Sequence, residues 1–150
     1  MPACRRGAAR WAALLALAGV APALALDFRS LAENGVVFYD APSLKAARVF
    51  VASRMLPVEV VVSLDTWVKV RDSAGDLAWV EKKSLSEKRY LIVTASRAEV
   101  REAADGGARI VYEAEQNVVL ELVEPLTGWA RVRHPDGEEG FVRANQVWGL

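Results

Sequence analysis

An internal repeat of 62 residues constrains the fold of this chain more than any other feature of its sequence. Trp67–Arg71 (WVKVR) aligns with Trp129–Arg133 (WARVR) at this offset, and the register continues without a gap in both directions. Self-similarity at a fixed period indicates duplicated structural units. The sequence therefore predicts two copies of one small domain, at residues 26–87 and 88–150. The other matched positions are mostly apolar or turn residues, such as Val49 with Val111, Gly75 with Gly137, Trp79 with Phe141 and Val80 with Val142.

Each copy consists of short stretches that alternate apolar and polar residues. In the stretch 67–71, Val68 and Val70 lie on one face and Trp67 on the other. A period of two is typical of a half-buried β-strand, and nothing after residue 25 has helical periodicity over a useful length. Residues 72–76 and 134–138 contain the Asp and Gly residues of hairpin turns. The predicted fold class is all-β, with at most one turn of helix near 81–84 and near 143–146.

The joint between the copies, residues 86–94, contains neither Gly nor Pro. Flexible linkers are rich in Gly, Ser or Pro. The apolar, partly β-branched run at 90–94 instead favours the first strand of the second copy. We therefore expect two barrels held in a near-fixed relative orientation.

The first 25 residues have the features of a secretory signal peptide. Arg5, Arg6 and Arg10 precede an apolar run at 11–20, and residues 23–25 (ALA) supply the small side chains of a cleavage site. The apolar run is shorter than the roughly 20 residues that cross a bilayer, so cleavage is expected rather than a stable membrane span. The mature chain is predicted to be periplasmic or secreted.

Cleavage would change the composition of the chain. It would remove Cys4, the only cysteine, and leave 16 basic against 19 acidic residues, a net charge of −3. Without a thiol the mature chain has no disulfide and no cysteine nucleophile. A mildly acidic surface also gives no support for binding to nucleic acid or to anionic lipid.

The motifs of both copies resemble the bacterial SH3 (SH3b) domain, whose typical form is G-W-x-x-V, a D-G turn and then G-W-V. The second copy has Gly128-Trp129-Ala-Arg-Val, Asp136-Gly137 and Gly140-Phe141-Val142, and the first has Trp67-Val-Lys-Val, Gly75 and Ala78-Trp79-Val80. The resemblance implies a small SH3-like β-barrel of about five or six strands in each copy. It also implies an exported protein with a binding groove between two loops, floored by aromatic side chains.

Six aromatic residues are candidates for such a groove. Trp67 and Trp129 match the family tryptophan, and the strand alternation places them on the face opposite the core, although packing under a loop or between the barrels remains an alternative. Aromatic faces stack well on prolyl rings, sugars and cations. Val100 and Arg101 replace two of the first-copy aromatics, so a single binding site would lie in the first barrel. The remaining candidates are Phe38, Tyr39 and Trp79 in the first copy and Phe141 in the second.

Other functions have weaker support. Eukaryotic SH3 domains carry a groove proline and tyrosine where this chain has Glu81 and Ser84, which argues against recognition of proline-rich helices. His134 is the only histidine and lies in a predicted turn, so no metal site or catalytic triad is indicated. Small closed barrels rarely offer the cleft that a pair of catalytic carboxylates needs. No enzymatic activity and no cofactor is predicted.

The sequence thus predicts an exported, non-catalytic binding protein made of two tandem SH3-like barrels. Its expected partner is a cell-wall peptide or peptidoglycan. The alternative is a scaffolding protein that binds another envelope protein and has no affinity for wall material.

Overall fold

The computed structural model describes residues 25–150. The predicted signal peptide at 1–25 therefore falls almost wholly outside the described residues. Within those residues no helix has the length and apolar character needed to cross a membrane. The structure is all-β, as predicted, and it contains two seven-stranded antiparallel sheets.

The first sheet forms the first barrel and has the order β3-β2-β6-β5-β4-β1-β7. All of its neighbouring strands are antiparallel. A short 3₁₀ turn at Lys82–Ser84 precedes the last strand. The strands are β1 (Phe28–Leu31), β2 (Val36–Tyr39), β3 (Arg48–Ala52), β4 (Pro57–Ser63), β5 (Trp67–Arg71), β6 (Leu77–Glu81) and β7 (Leu85–Ser86).

The second sheet forms the second barrel and repeats this order as β10-β9-β13-β12-β11-β8-β14. Its 3₁₀ turn, Ala144–Gln146, lies 62 residues after the first one, and both turns fall where the sequence allowed a turn of helix. Each barrel has seven strands rather than the expected five or six, and the last strand of each has only two residues. The strands are β8 (Tyr90–Val93), β9 (Arg97–Arg101), β10 (Ile110–Glu115), β11 (Val119–Leu126), β12 (Trp129–Arg133), β13 (Glu139–Arg143) and β14 (Val147–Trp148).

Strand alternation produces two separate cores. On β5 the side chains of Val68 and Val70 are buried, whereas Trp67 and Lys69 on the opposite face are partly exposed. Gly75, in the predicted hairpin turn, has a φ of 95°, a backbone conformation that residues other than glycine rarely adopt. The first core contains Leu31, Val36, Phe38, Val58, Val68, Val70, Ala78 and Val80. The second contains Leu91, Val93, Ala98, Val100, Ala114, Leu120, Ala130, Val132, Val142 and Val147.

The barrels meet along the joint between them. All four residues of β8 are buried. Leu91 and Val93 face the second core, and Tyr90 and Ile92, on the other face of the strand, are only 8% and 6% exposed. The Phe28 ring meets the Trp148 ring edge-on, with 5.0 Å between centroids. The Arg89 guanidinium lies 5.3 Å from the Phe28 ring centre and donates a 2.5 Å hydrogen bond to the Gly149 carbonyl. These contacts support a fixed orientation of the barrels.

Candidate functional site

An aromatic and basic surface lies on the outer face of β5 and β6. In the register of these strands Lys69 stands opposite Trp79, and Trp67 stands opposite Glu81. Trp67 and Trp79 are therefore diagonal neighbours on one face, and both are partly exposed. The Lys69 ammonium lies 5.9 Å from the centre of the Trp79 ring, within range of a cation–π interaction.

Tyr39 supports this surface from β2. It pairs with Trp79 across the strands, and its ring meets the Trp67 ring edge-on, with 5.4 Å between centroids and an interplanar angle of 88°. Tyr39 is itself only 7% exposed, so it offers little area to a ligand. Its contact limits the orientations that the Trp67 indole can adopt. We call Tyr39, Trp67, Lys69 and Trp79 the Trp67 platform.

Phe38 does not belong to the platform, and its prediction as a groove residue is wrong. It is 1% exposed and stacks on Phe50 in the first core, with 4.1 Å between centroids and 19° between the ring planes. The reason is the period of two along β2. Because Tyr39 points outward to Trp67, its neighbour must point inward.

A concavity of about 410 Å³ adjoins the platform. The loop between β4 and β5 forms one side and the 3₁₀ turn after β6 forms the other. The Lys82 amide joins the two by donating a 2.8 Å hydrogen bond to the Thr66 carbonyl. Its lining includes acidic and basic side chains, none of which the sequence analysis proposed as a binding residue. The lining residues are Asp65, Thr66, Glu81, Lys82 and Lys83.

In the second barrel a charged side chain lies over the corresponding tryptophan, Trp129, which is partly exposed like Trp67. Arg143 stands opposite Trp129 in the β12–β13 register, and its guanidinium carbon lies 4.8 Å from the centre of the indole ring. Arg143 also lies against the β9–β10 loop, where a Cβ at Gly106 would overlap its guanidinium. The corresponding residue in the first barrel is Glu81, so the residue opposite Trp67 is an acid and not a cation.

Phe141 has lost the aromatic neighbours that its counterpart Trp79 has. It stands opposite Arg101 and Arg131 in the strand register. Arg101 replaces Tyr39, and its guanidinium donates a 2.6 Å hydrogen bond to the Ala108 carbonyl. The structure therefore brings together three of the six predicted aromatics, Tyr39, Trp67 and Trp79, and separates Phe38, Trp129 and Phe141 from them.

Other concavities of the described surface differ from the one beside the Trp67 platform: one of about 250 Å³ is lined by Tyr90 with Lys88 and Glu121, but Tyr90 is only 8% exposed. A concavity of about 320 Å³ lies beside β1 and β7, but no aromatic residue lines it, and Arg29 there is paired with Asp27 and Glu87 at 3.2 and 3.4 Å. His134 lies in the β12–β13 turn, as expected, and its Nδ1 accepts a 3.2 Å hydrogen bond from the Asp136 amide. Residues 25–150 contain no cluster of three His, Cys, Asp or Glu side chains that could hold a metal.

Comparison of the chain with known proteins found similar solved structures and a matching family model. No curated protein matches it. Among solved structures it is similar to NlpC1 from Trichomonas vaginalis, at 14% identity over 91% of this chain and 51% of that chain, with a TM-score of 0.39. It is also similar to an NlpC/P60 family protein from Bacillus cereus, at 16% identity over 83% of this chain and 56% of that chain, with a TM-score of 0.38. The chain spans about half the length of these proteins.

The sequence model of the bacterial SH3 domain matches twice, at residues 32–87 and 94–149. Each match covers one sheet except for its first strand, β1 or β8, and the paired tryptophans and turn glycines of the repeat occupy the same places in both. Both halves of the repeat thus carry the same family signature, and the chain belongs to the bacterial SH3 domain family.

Proposed function

We propose that this protein is an exported, non-catalytic binding module that contacts cell-wall peptides or peptidoglycan through the Trp67 platform of its first barrel. Bacterial SH3 domains are generally binding modules, and they typically occur in extracellular or envelope-associated proteins. In this proposal residues 1–25 are a signal peptide, and residues 26–87 and 88–150 are the two domains of the mature protein.

The observation that carries the proposal is the half-exposed indole of Trp67, held edge-on by Tyr39 beside a charged concavity. Ligand sites have volumes of about 300 to 1,000 Å³ and combine apolar walls with a few polar groups. The partly exposed indole offers a flat apolar face to a sugar ring or a peptide side chain. The acids and lysines of the concavity, of which Glu81 and Lys83 form an ion pair at 3.0 Å, complement a peptide that carries both amino and carboxylate groups.

Retention on purified, insoluble peptidoglycan tests the proposal. The mature chain should be retained, and Trp67→Ala should weaken retention at least about thirtyfold, since aromatic anchors at the centre of an interface contribute about 2 kcal/mol or more. Trp129→Ala is the matched control, because it removes the equivalent side chain from the second barrel, where Arg143 lies over the ring. Equal retention of the wild type and the Trp67→Ala variant would overturn the proposed site.

Absence of any retention would instead favour an envelope protein as the partner of the same surface. Site-specific crosslinking from Lys69 in living cells, followed by mass spectrometry, distinguishes this alternative. A crosslink to a protein that Trp67→Ala abolishes would support scaffolding, and a crosslink only to wall fragments would support the first proposal.

A further inference from the structure

Strand β3 lies at the open edge of the first sheet. It pairs only with β2, and no backbone hydrogen bond leaves its outer edge within residues 25–150. An edge strand presents a row of unpaired N–H and C=O groups, which is a template for another strand. This edge is therefore free to accept an added strand.

The side chains of β3 do not protect this edge. Phe50 packs inward on Phe38, while Val49 and Val51 on either side of it are 55% and 61% exposed. Proteins commonly prevent strand addition by placing charged side chains on an exposed edge. Here the exposed positions in the centre of the strand are apolar.

The second barrel carries the protection that β3 lacks. At the positions of Val51 and Ser53 it has Glu113 and Glu115 on β10, and Glu113 forms an ion pair with Arg97 at 3.2 Å. Both strands have a bulge at the same place, so the bulge does not distinguish them. The duplicated protein thus has one edge with acidic residues at these positions and one edge where exposed valines lie in the centre of the strand.

The charges around β3 indicate what kind of strand it would accept. Residues 45–54 contain Lys45, Arg48 and Arg54 and no acidic residue. None of the three forms an ion pair within the described part of the chain. Pairing of β3 with a second copy of itself would bring two such basic segments together, and like charges on facing strands are unfavourable. An acidic partner strand would be attracted.

We propose that β3 binds an extended, acidic segment of a partner protein as an added antiparallel strand. Main-chain hydrogen bonds would supply affinity, and the alternate side chains would supply specificity. Val49 and Val51 would contact the apolar residues of the segment, and the basic residues would contact its carboxylates. This surface lies beside the Trp67 platform and differs from it, since β2 and β6 lie between β3 and the strand of Trp67, while Arg48 stands opposite Tyr39, the platform residue on β2.

Fluorescence anisotropy with a labelled heptapeptide of alternating Glu and Val tests this proposal on the mature chain. The peptide should bind. The same peptide with Lys in place of Glu should not bind, because it would face Arg48 and Arg54. A version with N-methylated amides should also fail to bind, because it cannot complete the strand ladder. Equal binding of the Lys peptide, or of the N-methylated peptide, would overturn the proposal.

The protein variants locate the site. Val51→Glu copies the charge of Glu113 and should weaken binding by about tenfold, since it replaces an apolar contact with a like charge. Val62→Glu, at another exposed valine of the first barrel, and Trp67→Ala should leave the affinity unchanged. Arg48→Glu should also weaken binding, which keeps the test valid if Val51→Glu misfolds. Undiminished binding by both edge variants would refute the site, and so would self-association without peptide that Val51→Glu abolishes.

Discussion

Removal of the Arg143 side chain should make the indole of Trp129 in the second barrel more accessible to solvent. Its guanidinium carbon lies 4.8 Å from the Trp129 ring centre, and the side chain is exposed. Cation–π contacts at exposed sites contribute about 0.5 to 1 kcal/mol, which corresponds to coverage of the indole for about 70 to 85% of the time. Because the indole is already partly exposed with Arg143 in place, Arg143→Ala should raise its accessibility by at most about threefold to sixfold.

Hydroxyl-radical footprinting read by mass spectrometry measures this accessibility for each tryptophan separately. The oxidation rate of Trp129 should rise in Arg143→Ala, while that of Trp67 should stay constant and serve as an internal reference. Arg97→Ala removes another exposed arginine from the same barrel and should leave both rates unchanged. The reverse substitution, Glu81→Arg, should lower the oxidation rate of Trp67 by a similar factor.

An unchanged Trp129 rate in Arg143→Ala would refute the reasoning, because it would mean that other groups restrict access to the indole. It would also remove the main structural reason for assigning ligand binding to the first barrel. The measurement needs no ligand, so its outcome does not depend on the identity of the binding partner.

Two further substitutions test the packing of the second barrel. The Tyr112 hydroxyl is buried without a hydrogen-bond partner, and burial, with a smaller contribution from Glu138, raises the pKa of Tyr112 to about 12. Tyr112→Phe, which copies Phe50 of the first barrel, should stabilise the protein by about 1 kcal/mol in urea denaturation. It should also reduce the loss of stability between pH 10 and 12, where the unfolded chain releases this proton first; an unchanged pH profile would contradict the assignment. Gly140→Ala would place a Cβ 2.5 Å from a Val100 methyl and should destabilise by about 1 to 3 kcal/mol, and an unchanged urea midpoint would show that the core relaxes freely.

The repeat and the strand alternation made most of the fold predictable from sequence. Val68 and Val70 were assignable to the core because polar residues alternate with them and mark the other face. The same reasoning failed for Phe38, because β2 (VVFY) has no polar residue to mark its outward side. Its orientation is decided by tertiary contacts, the stacking of Phe38 on Phe50 and the contact of Tyr39 with Trp67.

The concavity beside the platform could not be predicted in this way. It forms because a hydrogen bond from the Lys82 amide to the Thr66 carbonyl joins a loop to a 3₁₀ turn. Both segments are short and lack a periodic pattern. The contact between the barrels could not be predicted either. Phe28 meets Trp148, and the counterpart of Trp148 in the first copy is Ser86, so the repeat gives no equivalent pair. A repeat predicts equivalent contacts within the copies but not contacts between non-equivalent residues.

The differences between the copies are more informative about function than their similarities. Arg143 covers the tryptophan where the first copy has Glu81, and Arg101 replaces the supporting Tyr39. At the sheet edge, Glu113 replaces Val51. Arg101 and Glu113 thus put charged side chains where the first barrel has an aromatic and an apolar residue, and Arg143 puts a cation where the first barrel has an acidic residue. The shared fold does not require these differences, because both sets of residues are compatible with the same strands and the same strand order. The distribution of charge therefore favours the first barrel as the recognition domain and the second as its structural partner.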